Sequence, residues 1–129
     1  MTDISKFDEL IDSRDVIERI ETLESELALF LDETEGALPE NFPDIEELIA
    51  LRNLANDAIQ YSSDWEYGEM LVRYSYWQDY VQEMLEDCGE IPRNLPWYIS
   101  IDWEKTADNI SQDYTLVDFD GVDYYIRNI

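Results

Sequence analysis

Between Ser13 and Glu33 the apolar residues Val16, Ile20, Leu23, Leu27 and Phe30 recur at steps of four, three, four and three. That spacing keeps them on one side of an α-helix, close to the seam of a coiled coil. Glu18, Glu21, Glu24, Glu26 and Asp32 fall largely off the stripe. The pattern lasts about two and a half heptads. Such a length favours packing within the chain's own domain somewhat over a dimer seam, and both readings stay open. Gly36 and Pro39 stop the helix, and 36–43 reads as a loop. Asp44 is placed to cap a second helix over about 44–61, with Glu47 in capping-box position. Ile45, Leu48, Ile49, Arg52, Ala55 and Ile59 share one face of it, widened by Leu51 and Leu54.

After the turn Ser62-Ser63-Asp64, Ser63 and Glu66 offer another capping box. A third helix is predicted over about 65–88, stopped by Gly89 and Pro92. Its stripe is Met70, Leu71, Tyr74, Trp77, Tyr80, Val81, Met84 and Leu85, and its aromatics make it the candidate heart of the core. Residues 90–100 form a proline-containing connector, and Asp102 can cap a short helix to about Ile110. YTLVDF-DG-VDYYIR is the clearest hairpin signal, with Asp120-Gly121 as a two-residue turn. That turn sets Phe119 against Val122, Val117 against Tyr124 and Thr115 against Ile126 on one apolar face. On the other face Asp118 opposes Asp123, a destabilising pair that points either to function or to a defence against edge-to-edge aggregation. The expected fold is α+β and mostly helical: three amphipathic helices plus a short helix and a C-terminal β-hairpin. A helical region over 1–89 and the short helix and hairpin over 90–129 are expected to pack as one unit.

Of 129 residues, 32 are acidic and 8 basic, for a net charge of -24. A small domain needs a net charge of only about 2–8 for solubility. Such self-repulsion works against a compact state, so a chain that keeps it is expected to use it, unless it is adapted to high salt. The 45 % hydrophobic and 13 % aromatic content is enough for a core and argues against a disordered acidic tail. The acids are evenly spread: 12 in residues 1–35, 12 in 36–89 and 8 in 90–129. This sign of charge disfavours direct binding to nucleic acid or to anionic membrane, and favours a basic protein surface or a multivalent cation. The lone Cys88 excludes an internal disulfide and fits a reducing cytosol, and its place on a helix stripe reads as a buried thiol. Asp3, Asp8, Glu9 and Asp12 argue against a secretory leader, and no apolar run approaches the ~20 residues of a membrane span. The expected location is the cytoplasm of a bacterial host cell.

Catalytic chemistry finds little support. With no His, the commonest general base and transition-metal ligand is missing, and Cys88 has no such activating partner. One Cys does not make a zinc site, four Gly make no phosphate-cradling loop, and no loop has the calcium-binding pattern. No cofactor, no metal and no catalytic residue are expected, and the chain is expected to act by binding. B-DNA carries one charge per about 1.7 Å of axis, both strands counted. Acids at every third or fourth position of an exposed helix recur at roughly 5 Å. Two such faces side by side approach the charge density of a duplex, so this surface suits a DNA-binding groove. A divalent-cation buffer is a weaker expectation.

Two stretches carry a family resemblance: DWEYGEMLVRYSYWQDYVQEMLEDCG, Asp64 to Gly89, and WYISIDWEKTADNISQDYTLVDFDGVDYYI, Trp97 to Ile126. They resemble the C-terminal part of the ArdA antirestriction proteins and related small acidic proteins of phages and plasmids. The shared pattern is an acidic, aromatic-rich helix ending at Gly, an aromatic-Ile-Asp-aromatic-Glu segment, a short helix and a final hairpin. It covers roughly half the chain. The resemblance implies a DNA mimic that evades host defence by binding type I restriction-modification enzymes in their DNA groove, and it implies a homodimer. Set against a full ArdA the sequence reads as shorter, with the heptad-like helix expected where an N-terminal module would stand. The expected partner-binding acids are Glu66, Glu69, Asp79, Glu83, Glu86, Asp87, Asp102, Glu104, Asp108, Asp118 and Asp123, acting as a distributed surface. Val16, Ile20, Leu23, Leu27 and Phe30 are the candidate dimer seam. The alternative is an acidic protein–protein or regulatory module, antitoxin-like or anti-CRISPR, acting through helix packing.

Overall fold

The computed structural model describes residues 4–92 and 94–128; Asp3, and Arg93 within the connector, lie outside them. The chain opens with a short strand, β1 (Leu10–Asp12), that runs directly into helix α1 (Ser13–Glu33). Asp12 ends the one and caps the other: its carboxylate accepts the Arg14 backbone N–H at 2.9 Å. Helix α2 (Ile45–Ala58) follows, then strand β2 (Met70–Arg73), helix α3 (Trp77–Asp87), helix α4 (Trp103–Ser111) and the hairpin strands β3 (Tyr114–Phe119) and β4 (Val122–Arg127). The fold is α+β, as the pattern predicts, and the hairpin has the predicted register. Asp120 and Gly121 both take positive φ, 53° and 87°, as a two-residue hairpin turn requires.

The hairpin does not stand alone. The four strands form one antiparallel sheet in the order β1-β2-β4-β3. Side chains alternate across it, so each strand supplies two cores. Ile11, Leu71, Val117, Phe119, Tyr124 and Ile126 face α1 and α2, where they meet Val16, Leu23, Leu48, Leu51 and Leu54. Val72, Tyr114 and Tyr125 face the other way, onto Trp77 and Val81 of α3 and Ala107 of α4. Two helices therefore cover each face of the sheet. The Trp77 indole N–H donates to the Ala107 carbonyl at 2.9 Å and ties α3 to α4.

Four expectations need correction. The helix predicted over 65–88 begins only at Trp77, because 70–73 is strand β2. Leu71 and Val72 are both buried, on opposite sides, which a strand covered on both faces allows. The Ser63–Glu66 capping box does not form: 64–68 is a turn, closed by Gly68 at φ +122, where an added Cβ would come within 3.0 Å of the Arg14 side chain. Asp44 precedes α2 without a side-chain cap; its φ of -101 and ψ of 20 are not the extended conformation that capping needs. Its intended partner Glu47 instead takes a two-pronged pair with Arg19, at 2.7 and 3.0 Å, joining α1 to α2. Finally Cys88, at the C-terminus of α3, is exposed.

The candidate dimer seam is corrected as well. Val16 and Leu23 are fully buried, and Ile20, Leu27 and Phe30 pack against the same core. The stripe meets its own chain because α2 and the sheet offer it an apolar surface close by in sequence. A tilted contact of the Phe30 and Phe42 rings, 5.6 Å between centroids, closes its far end.

Candidate acidic interface

The few bases determine where the charge is left over. Arg14 pairs with Asp12, Arg19 with Glu47 and Arg52 with Glu24, each at 2.7 Å. The last two cross between α1 and α2. Arg73 donates to the Lys6 carbonyl at 2.8 Å and to the Ser75 hydroxyl. Arg127 holds Glu69 at 2.9 Å, with Asp64 further off at 3.8 Å. Carboxylates answer the charges of Arg14, Arg19, Arg52 and Arg127 locally, whereas Arg73 donates to neutral oxygens.

Helix α3 has no base at all, and α4 has only Lys105. On α3, Asp79, Glu83 and Asp87 follow one another at four-residue steps, with Glu86 alongside. Four carboxylates thus span about 12 Å of helix axis, one per roughly 4 Å. One strand of B-DNA has a phosphate about every 3.4 Å. On α4, Asp102 is the N-cap, accepting the Lys105 backbone N–H at 3.1 Å, and Glu104 and Asp108 lie one turn apart. Because α3 and α4 pack on the same sheet face, seven of the eleven sequence-chosen acids share one layer. The outer stripe of α1 is less regular: Ser25, Ala28 and Leu29 separate Glu18 and Glu21 from Asp32.

The other four chosen acids divide. Asp118 and Asp123 are exposed and face each other across the hairpin, on the side that carries Tyr125. Asp118 also accepts the Gly121 backbone N–H at 3.3 Å, so it serves the turn as well as the surface. Glu66 is exposed in the turn before β2, apart from α3 because the helix that would have joined them is absent. Glu69 is not a surface acid. Its side chain is 3 % exposed and accepts from Ser62 Oγ at 2.8 Å and from Arg127 Nε and Nη2 at 2.9 and 3.2 Å. A buried carboxylate needs such donors, and the pairing pushes the Arg127 guanidinium further up.

Sequence reasoning missed this polar joint. Ser13 is fully buried: its hydroxyl donates to the Trp65 carbonyl at 2.8 Å and accepts the Glu69 N–H at 2.6 Å. Tyr124, foreseen only as an apolar hairpin residue, donates its hydroxyl to the Asp8 carbonyl at 2.6 Å; burial pushes its phenol up to about 12. Ser13 opens a helix and Ser62 sits in a turn, positions where serine is ordinary, so neither carries a signal in sequence.

Among the described residues no group of three or more His, Cys, Asp or Glu is placed to hold a metal ion, and no helix is long and apolar enough to cross a membrane. No protein-family model matches the chain, and neither a curated protein nor a solved structure matches it.

Proposed function

We propose that this protein is an acidic DNA mimic that inhibits a bacterial DNA-binding defence enzyme, of the type I restriction-modification class, by occupying its basic DNA groove. The observation that carries the reading is the α3–α4 layer. Seven carboxylates stand on two packed helices with Lys105 as the one base those helices contain. The spacing along each helix is close to that of phosphates along a DNA strand. Rigid packing through Trp77 and Ala107 holds this charge in one geometry, so binding need not order it first. The resemblance to the C-terminal part of ArdA points to the same partner. Inhibition is by occupancy, with no turnover and no cofactor. Association is fast and falls steeply with salt, as expected for steering by complementary charge. A coiled-coil seam through α1 is not part of the proposal, since Val16 and Leu23 lie in the chain's own core.

The test is inhibition of a purified type I restriction enzyme, with duplex DNA as competitor. Reversing Asp79, Glu83, Glu104 and Asp108 together to Lys is expected to abolish inhibition, while each single amide substitution changes it little. Reversing Glu18, Glu21 and Asp32 on α1 is the control and is expected to leave more of the activity. If one carboxylate-to-amide change removes all inhibition, or if binding is indifferent to duplex DNA, the mimic reading is wrong.

A further inference from the structure

An open cleft of about 290 Å³ lies at the inner edge of the acid layer, between the segment that precedes α3 and the start of α4. Tyr74, Tyr125 and Trp77 line it on the aromatic side, and Glu104 and Asp108 on the acidic side. Tyr74 stacks nearly parallel on Tyr125, 6.1 Å between centroids and 17° apart, and Tyr125 in turn lies 4.3 Å from Trp77. Tyr74 is nevertheless 61 % exposed, an unusual position for an aromatic whose neighbours are well packed. Tyr76, two residues on, donates its hydroxyl to Glu83 at 3.0 Å. Glu104 and Asp108, one turn apart on α4, have no ion-pair partner among the described residues. Lys105 does not line the cleft.

We propose that this cleft receives an arginine side chain of the basic partner, its guanidinium stacked on the Tyr74–Tyr125 rings and its N–H groups donated to Glu104 and Asp108. The inference rests on the acidic-interface reading above and deepens it. Planar guanidinium suits such a place better than ammonium: it stacks on an aromatic face and offers a fork of donors to carboxylates at the same time. The Tyr125 phenol is pushed up first by burial, then by Tyr74 and by the carboxylates of Asp108 and Asp123. A DNA-binding groove is rich in arginine, so an aromatic step among the acids gives the mimic a contact that plain charge lacks. Lysine-rich surfaces would be bound by charge alone.

The probes are nine-residue arginine and lysine peptides, titrated into the whole protein at fixed ionic strength, by calorimetry and by amide and indole NMR shifts. The arginine peptide is expected to bind more tightly than the lysine peptide. Its shifts should centre on Tyr74–Gln78, the Trp77 indole N–H and Glu104–Asp108. Tyr74→Ala should lower arginine-peptide affinity about five-fold, to the lysine level, and leave the lysine peptide unchanged. Tyr74→Phe, which keeps the ring, should retain the preference and so guards against a folding artefact. Glu104→Gln with Asp108→Asn should cost more than Glu18→Gln with Glu21→Gln, which removes the same charge elsewhere. Equal affinity for the two peptides, or equal loss in the two double variants, overturns the cleft but leaves the acidic interface standing. Absence of any salt-dependent binding overturns both.

Discussion

Removing Arg127 is expected to destabilise the fold more than removing the charge it holds. In Arg127→Met the Glu69 carboxylate loses two of its three donors, the pair at 2.9 and 3.2 Å, and keeps only Ser62. Glu69 is 3 % exposed and cannot turn to water without opening the joint between α1 and β2. Charge-assisted bonds contribute about 1.5–3 kcal/mol each, and breaking a wholly buried ion pair costs about 3–5 kcal/mol. Arg127 is itself 47 % exposed, so water refills part of its place, and the expected cost drops to about 2–3 kcal/mol. Glu69→Gln keeps an acceptor for Ser62 and leaves Arg127 in solvent near Asp64, so about 1 kcal/mol is expected. In the double variant no buried charge remains, and the cost should stay near that of Glu69→Gln, a coupling of roughly 2–3 kcal/mol. Urea denaturation reads this as shifts in midpoint at constant slope. An additive double variant, or a smaller loss in Arg127→Met than in Glu69→Gln, would be incompatible with Arg127 compensating a buried Glu69 charge.

Three further outcomes are expected. Leu23→Ala removes a fully buried side chain and should cost about 2–5 kcal/mol in urea unfolding, with no change of oligomeric state by light scattering. A loss of self-association at unchanged stability would instead restore the seam. Asp12 is held below its ordinary value of 3.8 mainly by its hydrogen bond to the Arg14 side chain. Its contribution is therefore present above that value and is lost as pH falls through the lower folded one. Asp12→Asn should be less stable than the parent at neutral pH and equal to it in strong acid; a gap that persists in acid would assign the loss to capping geometry. Raising salt at neutral pH should raise Tm, because screening relieves the self-repulsion of a net charge of -24. A falling Tm would mean that the local arginine pairs outweigh the repulsion.

Most of the secondary structure was legible where one local rule spoke alone. The hairpin follows from Asp120-Gly121 and strict alternation, and α1 from its apolar stripe. The same local rules failed between Ser63 and Tyr76. There an apolar run two or three residues long fits a helix face and a doubly buried strand equally well, and periodicity does not separate them. Gly68 was the overlooked signal: it marks a chain reversal packed against Arg14. Of the candidate site, Asp79, Glu83, Glu104 and Asp108 were foreseen by type and spacing, whereas Glu69 was misassigned because burial is invisible to a count of charges.

By itself the sequence determined the sign and excess of charge, the helix and hairpin periods, and the absence of histidine from any chemistry. Those are properties of composition and near neighbours. Which acids stand together depends on long-range packing. Pairing of β2 with β4 builds a two-faced sheet, and that sheet brings α3 beside α4 and Tyr74 onto Tyr125. The same packing decided that Arg127 answers Glu69, 58 residues away in the chain. Contacts of that range depend on which surfaces remain to be covered once the local elements have formed, and no spacing rule along the chain records them.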